Sequence, residues 1–330
     1  MTGESTIRRG GGALCALLFL CLGASLRGFS SAAESSAAQF LGLGFGARAL
    51  GMGETFAAVA DDASAVYYNP AGLAHRSSVG GAPSGRKDGE LLLAHSWHIQ
   101  STGLTQLAYA RERFGLSVSY FSAGSMEGRD DFGNLASDFT AEDYAVSGGY
   151  AVNYGRLSAG AALKAVRQRI KSDAASAACA DAGLLYGLEG LPVTLGLSVS
   201  NLGTKVKFKS ESFPLPLVYR AGFAVRTGRS FPAVASFETD FPNDAPVVFR
   251  TGFEYTGFEY IALRAGYKTS PPAQTNAILG KGFGGVSGIS ELYGFFMGMG
   301  FNLRAIRLDY ALLPYGELGN SHRFSLGMRF

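Results

Sequence analysis

Apolar and polar residues alternate along most of the chain from about residue 90 to the end. In 247–255, every second residue is apolar or aromatic except for one threonine: Val247, Phe249, Thr251, Phe253 and Tyr255. The same period recurs in 193–199, 217–226, 261–268 and 306–312. Because side chains along a β-strand point to opposite faces in turn, this pattern predicts strands.

The pattern gives about fourteen strands, and the links between them support that number. Six short links lie at 113–115, 153–155, 188–191, 227–229, 256–258 and 302–304. Seven longer links lie at 98–102, 125–142, 171–177, 202–215, 241–245, 269–290 and 314–320. Short and long links alternate along the chain. The alternation, and the one extra long link, are expected of an antiparallel barrel whose two termini lie on the side of the short turns.

Composition favours a barrel in a membrane over a soluble β-sandwich. Charged residues make up 17% of the 330 residues, and the chain has 46 glycines and 12% aromatic residues. Tilted strands of ~9–11 residues suffice to cross a bilayer. Backbone groups that face lipid must all be paired, so the sheet must close. The 47% hydrophobic content argues against disorder, and a scattered net charge of +3 argues against nucleic-acid binding.

The N-terminus has the composition of a secretory signal peptide. Arg8 and Arg9 precede an apolar run at 14–22, and small residues at 31–33 precede Glu34. We therefore expect residues 1–33 to be removed. The alternative is a lipoprotein anchored at Cys21, although Leu20 stands where a small residue is expected. After removal only Cys179 remains, which excludes an internal disulfide.

Residues 34–89 lack the strand pattern and are rich in glycine and alanine. A short helix is predicted at 61–67, and Pro70 ends it because the residue before a proline is disfavoured in helical conformation. Small residues let a segment pack closely against a barrel wall. We expect 34–89 to form a plug inside a barrel made by 90–330. A separate periplasmic domain is the alternative, but so short a segment of this composition makes a poor core.

Three short sequences in this segment carry a family resemblance: 47–53 (ARALGMG), 60–63 (ADDA) and 69–72 (NPAG). They resemble the N-terminal hatch of the FadL-type outer-membrane barrels. The longer sequence that contains all three, and the C-terminal sequence 315–330, are similar to the PorV-like branch. The resemblance implies a fourteen-stranded barrel plugged by a hatch that moves during passive passage of hydrophobic molecules. By this resemblance the hatch or gating residues are Arg48, Gly51, Gly53, Asp61, Asp62, Asn69, Pro70, Ala71 and Gly72.

The last strand supports the same class. Residues 322–330 alternate, with apolar residues at every second position, and the sequence ends on Phe330. Outer-membrane barrels commonly end on an aromatic residue that the barrel assembly machinery recognises. We therefore expect Phe330 to be an assembly signal, with that machinery and the outer-membrane lipids as partners.

Motifs of catalysis, metal binding and cofactor binding are weak in this sequence. His95 and His98 would face opposite sides of a strand, which disfavours a shared metal ion. The G-x-G-x-x-G at 280–285 lacks the strand, helix and acidic residue of a dinucleotide site. Asp61 and Asp62 are adjacent, so they rarely converge on one substrate. No enzymatic activity, cofactor or metal is expected.

Charged residues also occupy many predicted inward positions, for example Arg250, Glu254 and Arg264. One interpretation is an ion-paired interior that fixes the hatch, which we favour. The other is a path of arginines that guides a carboxylate. The acidic link at 125–142 contains three large apolar residues, Phe132, Leu135 and Phe139. They predict a capture site for a hydrophobic ligand, with a solvated cap as the alternative.

The favoured function is passive uptake of long-chain fatty acids or similar hydrophobic molecules across the outer membrane. Two alternatives remain open. One is a PorV-like barrel that binds a protein partner in secretion or surface attachment. The other is a structural or adhesive surface barrel without transport.

Overall fold

The computed structural model describes residues 36–79, 89–97, 102–129, 132–208, 210–228, 230–269, 294–315 and 319–330. The expected signal peptide, His98 and the glycine-rich sequence at 280–285 lie outside the described residues. No helix among the described residues is long and apolar enough to cross a membrane.

Fourteen antiparallel strands form a closed barrel, as predicted, and each strand pairs with its neighbour along the chain. The barrel closes where the first strand pairs with the last, from Glu90 opposite Arg329 to Trp97 opposite His322. A separate two-stranded hairpin, β8–β9, lies in the link between β7 and β10. The strands are β1 (Gly89–Trp97), β2 (Gly103–Arg111), β3 (Phe114–Arg129), β4 (Leu135–Tyr154), β5 (Leu157–Ile170), β6 (Asp173–Gly187), β7 (Val193–Gly203), β8 (Val206–Phe208), β9 (Glu211–Phe213), β10 (Val218–Arg226), β11 (Ala233–Pro242), β12 (Val248–Tyr255), β13 (Ile261–Lys268), β14 (Phe295–Leu303), β15 (Ile306–Pro314) and β16 (Asn320–Arg329).

All six predicted short links join consecutive strands at one end of the barrel, which we call the turn end. We call the opposite end the loop end. Two predicted long links at the loop end were wrong. Residues 125–142 belong mostly to β3 and β4, which pair from Ser125 opposite Thr140 to Arg129 opposite Leu135. Residues 171–177 contain a tight turn followed by the start of β6.

Strands β3 to β6 are longer than the other strands of the barrel. They have 16, 20, 14 and 15 residues, whereas the other barrel strands have 8 to 11. Most side chains near the tip of the β3–β4 hairpin are exposed. Both faces of such a hairpin carry polar residues, so the alternation that identifies a half-buried strand is lost although the backbone is paired.

The outer and inner faces of the barrel differ in the way expected for a membrane. In β13, Ile261, Leu263 and Tyr267 are exposed on the outside, whereas Ala262 and Arg264 are buried inside. The same alternation recurs around the barrel, with large apolar residues outside and small or charged residues inside. This distribution is typical of a transmembrane barrel.

The N-terminal segment, residues 36–79, lies in the barrel interior. It contains a 3-10 helix (Gln39–Gly42) and three α-helices, α1 (Ala47–Gly51), α2 (Ala65–Tyr68) and α3 (Gly72–Val79). Phe45, Met52 and Phe56 are fully buried in one cluster with inward-facing alanines of the wall. The predicted helix at 61–67 begins later, at Ala65. The Asp62 carboxylate accepts hydrogen bonds from the backbone N–H and the hydroxyl of Ser64. These bonds compete with helical ones, which explains why the helix begins only at Ala65.

Candidate functional site

The Asn69-Pro70-Ala71 sequence fixes the N-terminal segment to the wall. Asn69 is fully buried after α2 in extended conformation, which is the conformation preferred before a proline. Its Nδ2 donates to the carbonyls of Ala57 at 2.6 Å and of Leu184 and Leu197 at 3.2 Å each. Its Oδ1 accepts from the Ala71 backbone at 3.1 Å. One side chain therefore connects two parts of the segment with β6 and β7.

Inward-facing glycines of the wall make room for this attachment. A Cβ at Gly183 would overlap the Asn69 carboxamide, and a Cβ at Gly160 would overlap the Pro70 carbonyl. Because real side chains never approach so closely, both positions require glycine. Further wall glycines in direct contact with the segment are Gly196, Gly252, Gly266 and Gly298.

The predicted glycines of the segment itself are close-contact positions too. A Cβ at Gly51 would lie 2.9 Å from the Cα of Gly298. Gly53 has a φ of +66° and faces the Thr251 carbonyl, where a Cβ would lie 2.8 Å away. A Cβ at Gly72 would overlap the carbonyl of Ala60 within the segment. These residues set how closely the backbone of the segment approaches the wall and folds on itself.

Arg48, Asp61 and Asp62 join in one ion-pair network with the wall. Arg48 pairs with Asp61, with Asp62 at 3.2 Å and with Glu254 of β12 at 2.7 Å. Asp62 also pairs with Arg307 of β15 at 3.1 Å. Asp61 pairs with Arg226 of β10 at 3.3 Å. The two adjacent aspartates thus bind arginines from two strands that lie five positions apart in the barrel.

The electrostatics of this network favour the charged forms. Burial by itself would raise the pKa of Asp62, but Arg307, Arg48 and the hydrogen bonds from Ser64 hold that pKa well below its ordinary value. Burial likewise opposes ionisation of Asp61, and Arg48 and Arg226 lower its pKa. Both carboxylates are therefore ionised at neutral pH.

A second group of ion pairs includes Glu54, which was not among the predicted site residues. Glu54 pairs with Arg250 of β12, and the Arg250 Nε donates to Asp240 of β11 at 2.8 Å. The Glu238 carboxylate accepts from the Ala57 backbone at 2.7 Å. Alternation along the strands indicated that these wall residues point inward. It carried no information on their partners, which lie up to about 200 residues away. The arrangement supports the ion-paired interior rather than a path of arginines for a carboxylate.

At the loop end, the start of the segment packs by apolar contact. Phe40 and Leu41 lie in a buried cluster with residues from the wall and from the β7–β10 link: Ala145, Val166, Ala175, Ala177, Cys179, Val206 and Leu215. The Phe40 ring stacks on Phe121 of β3 with 6.5 Å between centroids. Lys164, next to this cluster in β5, is paired with Asp181 at 2.8 Å and with the Asn201 side chain at 2.7 Å.

The three predicted capture residues are spread along the β3–β4 hairpin. Phe132 lies in the link at its tip and is 90% exposed. Leu135 pairs with Arg129 and is exposed, and Phe139 pairs with Met126. The expectation that they lie in one long loop was wrong, because Leu135 and Phe139 are strand residues of β4.

The C-terminal Phe330 and His95 each contact residues of neighbouring strands. The Phe330 backbone exchanges two hydrogen bonds with Gly89, and its ring stacks on Tyr109 at 6.3 Å. His95 lies 2.9 Å from the Thr105 hydroxyl. In the described part of the chain, no group of three or more His, Cys, Asp or Glu residues is placed to hold a metal ion.

Comparison with known proteins shows similarity in structure alone. No protein-family model matches the sequence, and no curated protein matches it. The toluene transporter TodX of Pseudomonas putida is 14% identical, with a TM-score of 0.54 over 87% of this chain and 96% of TodX. The toluene transporter TbuX of Ralstonia pickettii is 14% identical, with a TM-score of 0.53 over 87% of this chain and 97% of TbuX. A FadL homologue of Pseudomonas aeruginosa is 12% identical, with a TM-score of 0.50 over 86% and 98%. The chain therefore has the fold of the FadL-type outer-membrane barrels, as the resemblance of its hatch motifs predicted.

Proposed function

We propose that this protein is an outer-membrane barrel that passes hydrophobic small molecules inward by passive diffusion. The observation that carries the proposal is the apolar cluster around Phe40 and Leu41 at the loop end of the interior. A cluster of apolar residues between the loop end and the segment offers a site into which a hydrophobic ligand can partition.

The N-terminal segment has two differently attached parts, which suggests how passage occurs. Residues from 44 onward are fixed by ion pairs and by the Asn69 carboxamide. Residues 36–43 pack through Phe40 and Leu41 and through a few hydrogen bonds, such as Ala37 N to Pro214 O at 2.9 Å. We propose that a ligand displaces 36–43 while the Asn69-Pro70-Ala71 attachment keeps the rest of the hatch in place. Wider movement of the hatch at Asn69 stays a second possibility for the same function.

Long-chain fatty acids remain the proposed ligands, together with similar hydrophobic molecules. The cluster provides apolar contact. The Lys164 ammonium beside it is already paired with Asp181 and Asn201. A fatty acid bound here would keep its carboxylate near polar groups at the edge of the cluster, whereas a neutral hydrocarbon needs no such partner. The comparison of charged and neutral ligands is therefore part of the test. No covalent step is required, and the protein is proposed to be a transporter rather than an enzyme.

The test is ligand binding by the refolded barrel, with folding verified by heat-modifiable gel mobility. A fluorescent long-chain fatty acid is titrated into the wild type, and oleate, oleyl alcohol and toluene are added as competitors. Saturable, competable binding supports the proposal, and the order of the competitors gives the ligand class. A Phe40→Ala/Leu41→Ala variant should bind with altered affinity, whereas the outer-face control Leu303→Ala should behave as wild type. A well-folded barrel without saturable binding contradicts the proposal.

A protein partner is the second candidate function, and the β3–β6 extension favours it. The long strands present Phe132 and Leu135 at the exposed tip of a hairpin. Exposed apolar residues at such a position are typical of protein contacts. If the ligand assay is negative, a Phe132→Asp/Leu135→Asp variant tests this candidate, because loss of a bound partner with intact folding would support it.

A further inference from the structure

Basic residues on the outer face of the barrel occur together on β5 near the loop end. On β10, β12, β13, β14, β15 and β16, outward positions near this end carry uncharged or aromatic residues: Tyr219, Phe249, Tyr267, Phe295, Tyr310 and His322. On β5 the equivalent positions are Arg167 and Arg169, followed by Lys171 in the turn to β6. All three side chains are exposed. We call them the basic patch.

The strand register gives the depth of the basic patch. Arg167 pairs with Tyr144 of β4, whose ring lies 4.9 Å from that of Tyr120 on β3. Aromatic rings on the outside of membrane barrels mark the level of the lipid headgroups. Arg167 therefore lies at headgroup level. Arg169, the next outward residue of β5, lies two residues further from the bilayer centre.

Below the basic patch, the outer face is apolar. The next outward residue of β5 beyond Ala165 is Leu163, which is 74% exposed. Val146 pairs with both Ala165 and Val118, so the neighbouring strands add two more aliphatic side chains at this level. A row of cations above a row of aliphatic residues matches an anionic headgroup above its acyl chains.

One carboxylate lies at the edge of this arrangement. Glu142 pairs with Arg169 across β4 and β5. Its two oxygens each accept a hydrogen bond at 3.2 Å, from the hydroxyls of Tyr120 and Tyr144. With Glu142 and with Asp173, which follows Lys171 at the exposed start of β6, the basic patch still has an excess of one positive charge, and it contains two guanidiniums. Guanidiniums bind phosphate oxygens in bidentate fashion.

We propose that the basic patch binds the phosphate of an anionic lipid of the outer leaflet. The lipid chains lie along Leu163, Val146 and Val118, and the phosphate contacts Arg167 and Arg169. The proposal rests on the membrane placement proposed above, but it does not depend on passage of a ligand through the interior. The bound lipid would fix the depth of the long β3–β6 strands in the bilayer.

The test uses the full-length refolded barrel in non-ionic detergent and counts bound lipids by native mass spectrometry. The probes are dioleoyl phosphatidic acid and dioleoylglycerol, which have the same acyl chains but differ in the phosphate. We expect the phosphate-bearing lipid to bind about tenfold more tightly, and Arg167→Gln/Arg169→Gln to remove that difference. The matched control is Arg111→Gln, an exposed arginine at the turn end of β2. It should retain the wild-type preference.

Three outcomes would overturn the proposal: equal binding of both lipids by wild type, an undiminished preference in the double variant, or equal loss in the Arg111→Gln control. A large excess of inorganic phosphate is the final arm. If it displaces the lipid completely, the patch is a site for free phosphate and the lipid assignment is wrong. The fatty acid assay on the same double variant should be unchanged, since both arginines face away from the interior. Failure of fatty acid binding in the interior and failure of lipid binding at the basic patch are therefore distinguishable.

Discussion

The carboxamide of Asn69 lies against the Cα of Gly183 in β6, so closely that a methyl group at position 183 would overlap it. The same carboxamide donates to the carbonyls of Leu184 and Leu197. The N-terminal segment is thus attached to the wall by a side chain that fits only opposite a glycine.

Replacing that glycine should weaken the attachment. We expect Gly183→Ala to lower the free energy of unfolding by about 1–3 kcal/mol, because the added methyl group displaces the Asn69 side chain from its hydrogen bonds. Urea unfolding in detergent micelles measures the change. Gly187→Ala is the control, since open space surrounds that position near the end of the same strand.

A double variant shows whether the two positions act together. Asn69→Ala alone should also lower the free energy of unfolding by about 1–3 kcal/mol, because it removes the hydrogen bonds to buried carbonyls. In Asn69→Ala/Gly183→Ala the loss of unfolding free energy should be clearly smaller than the sum of the two single losses. Without the Asn69 carboxamide, a methyl group at position 183 has nothing to overlap. Simple additivity would show that Asn69 does not attach the segment to β6.

Acid should weaken the ion-pair network. The pKa values of Asp61 and Asp62 are lower in the folded protein than their ordinary value of about 3.9. Their contribution to stability is therefore fully present above about pH 4, and it is lost as the pH falls through the lowered values. We expect Asp62→Asn to be about 3 kcal/mol less stable than wild type at pH 7, since it leaves Arg307 and Arg48 without one partner.

Measurement of the unfolding midpoint against pH tests this expectation. The difference between wild type and Asp62→Asn should shrink as the pH falls below about 4, because the carboxylate is protonated there in the unfolded chain but stays charged in the folded protein until its lowered pKa is reached. Glu112→Gln, at the exposed turn between β2 and β3, is the control and should follow the wild type throughout. A constant difference down to the acid limit would show that Asp62 acts through packing and not through charge.

The thiol of Cys179 provides a probe for movement of residues 36–43. It is the only cysteine after residue 33, and it is buried in the cluster that contains Phe40 and Leu41. Labelling by a maleimide should be slow in wild type and about tenfold faster in Phe40→Ala/Leu41→Ala, because the thiol becomes accessible when this part opens. Labelling in the two proteins is followed by mass spectrometry. Equal rates would mean that 36–43 does not cover Cys179.

The C-terminal Phe330 should affect assembly more than stability. Its side chain is 63% exposed on the outside, so Phe330→Ala should change the free energy of unfolding by no more than about 1 kcal/mol. In cells, the fraction of heat-modifiable barrel formed after synthesis should fall if the assembly machinery recognises this residue. Phe324→Ala, an exposed aromatic residue earlier in β16, is the control. An equal defect in both variants would argue against a terminal signal.

Local sequence patterns were sufficient for the barrel itself. The two-residue period in β10, β12 and β13 identified each strand and its inward face, because burial on one side of a sheet imposes that period directly. The six short links followed from the same pattern. It failed at 125–142, where both faces of the β3–β4 hairpin are exposed and the period carries no signal.

The partners of the inward residues were decided only by the tertiary structure. The sequence placed Arg48 and Asp62 in a motif and Glu254 and Arg307 on inward faces, but their pairing depends on how the closed barrel surrounds the segment. Gly160 and Gly183 looked like ordinary strand glycines until Pro70 and Asn69 were seen against them. Alternation along a strand is a local consequence of backbone geometry. Contacts between residues more than 100 positions apart depend on the closure of the whole barrel around its N-terminal segment.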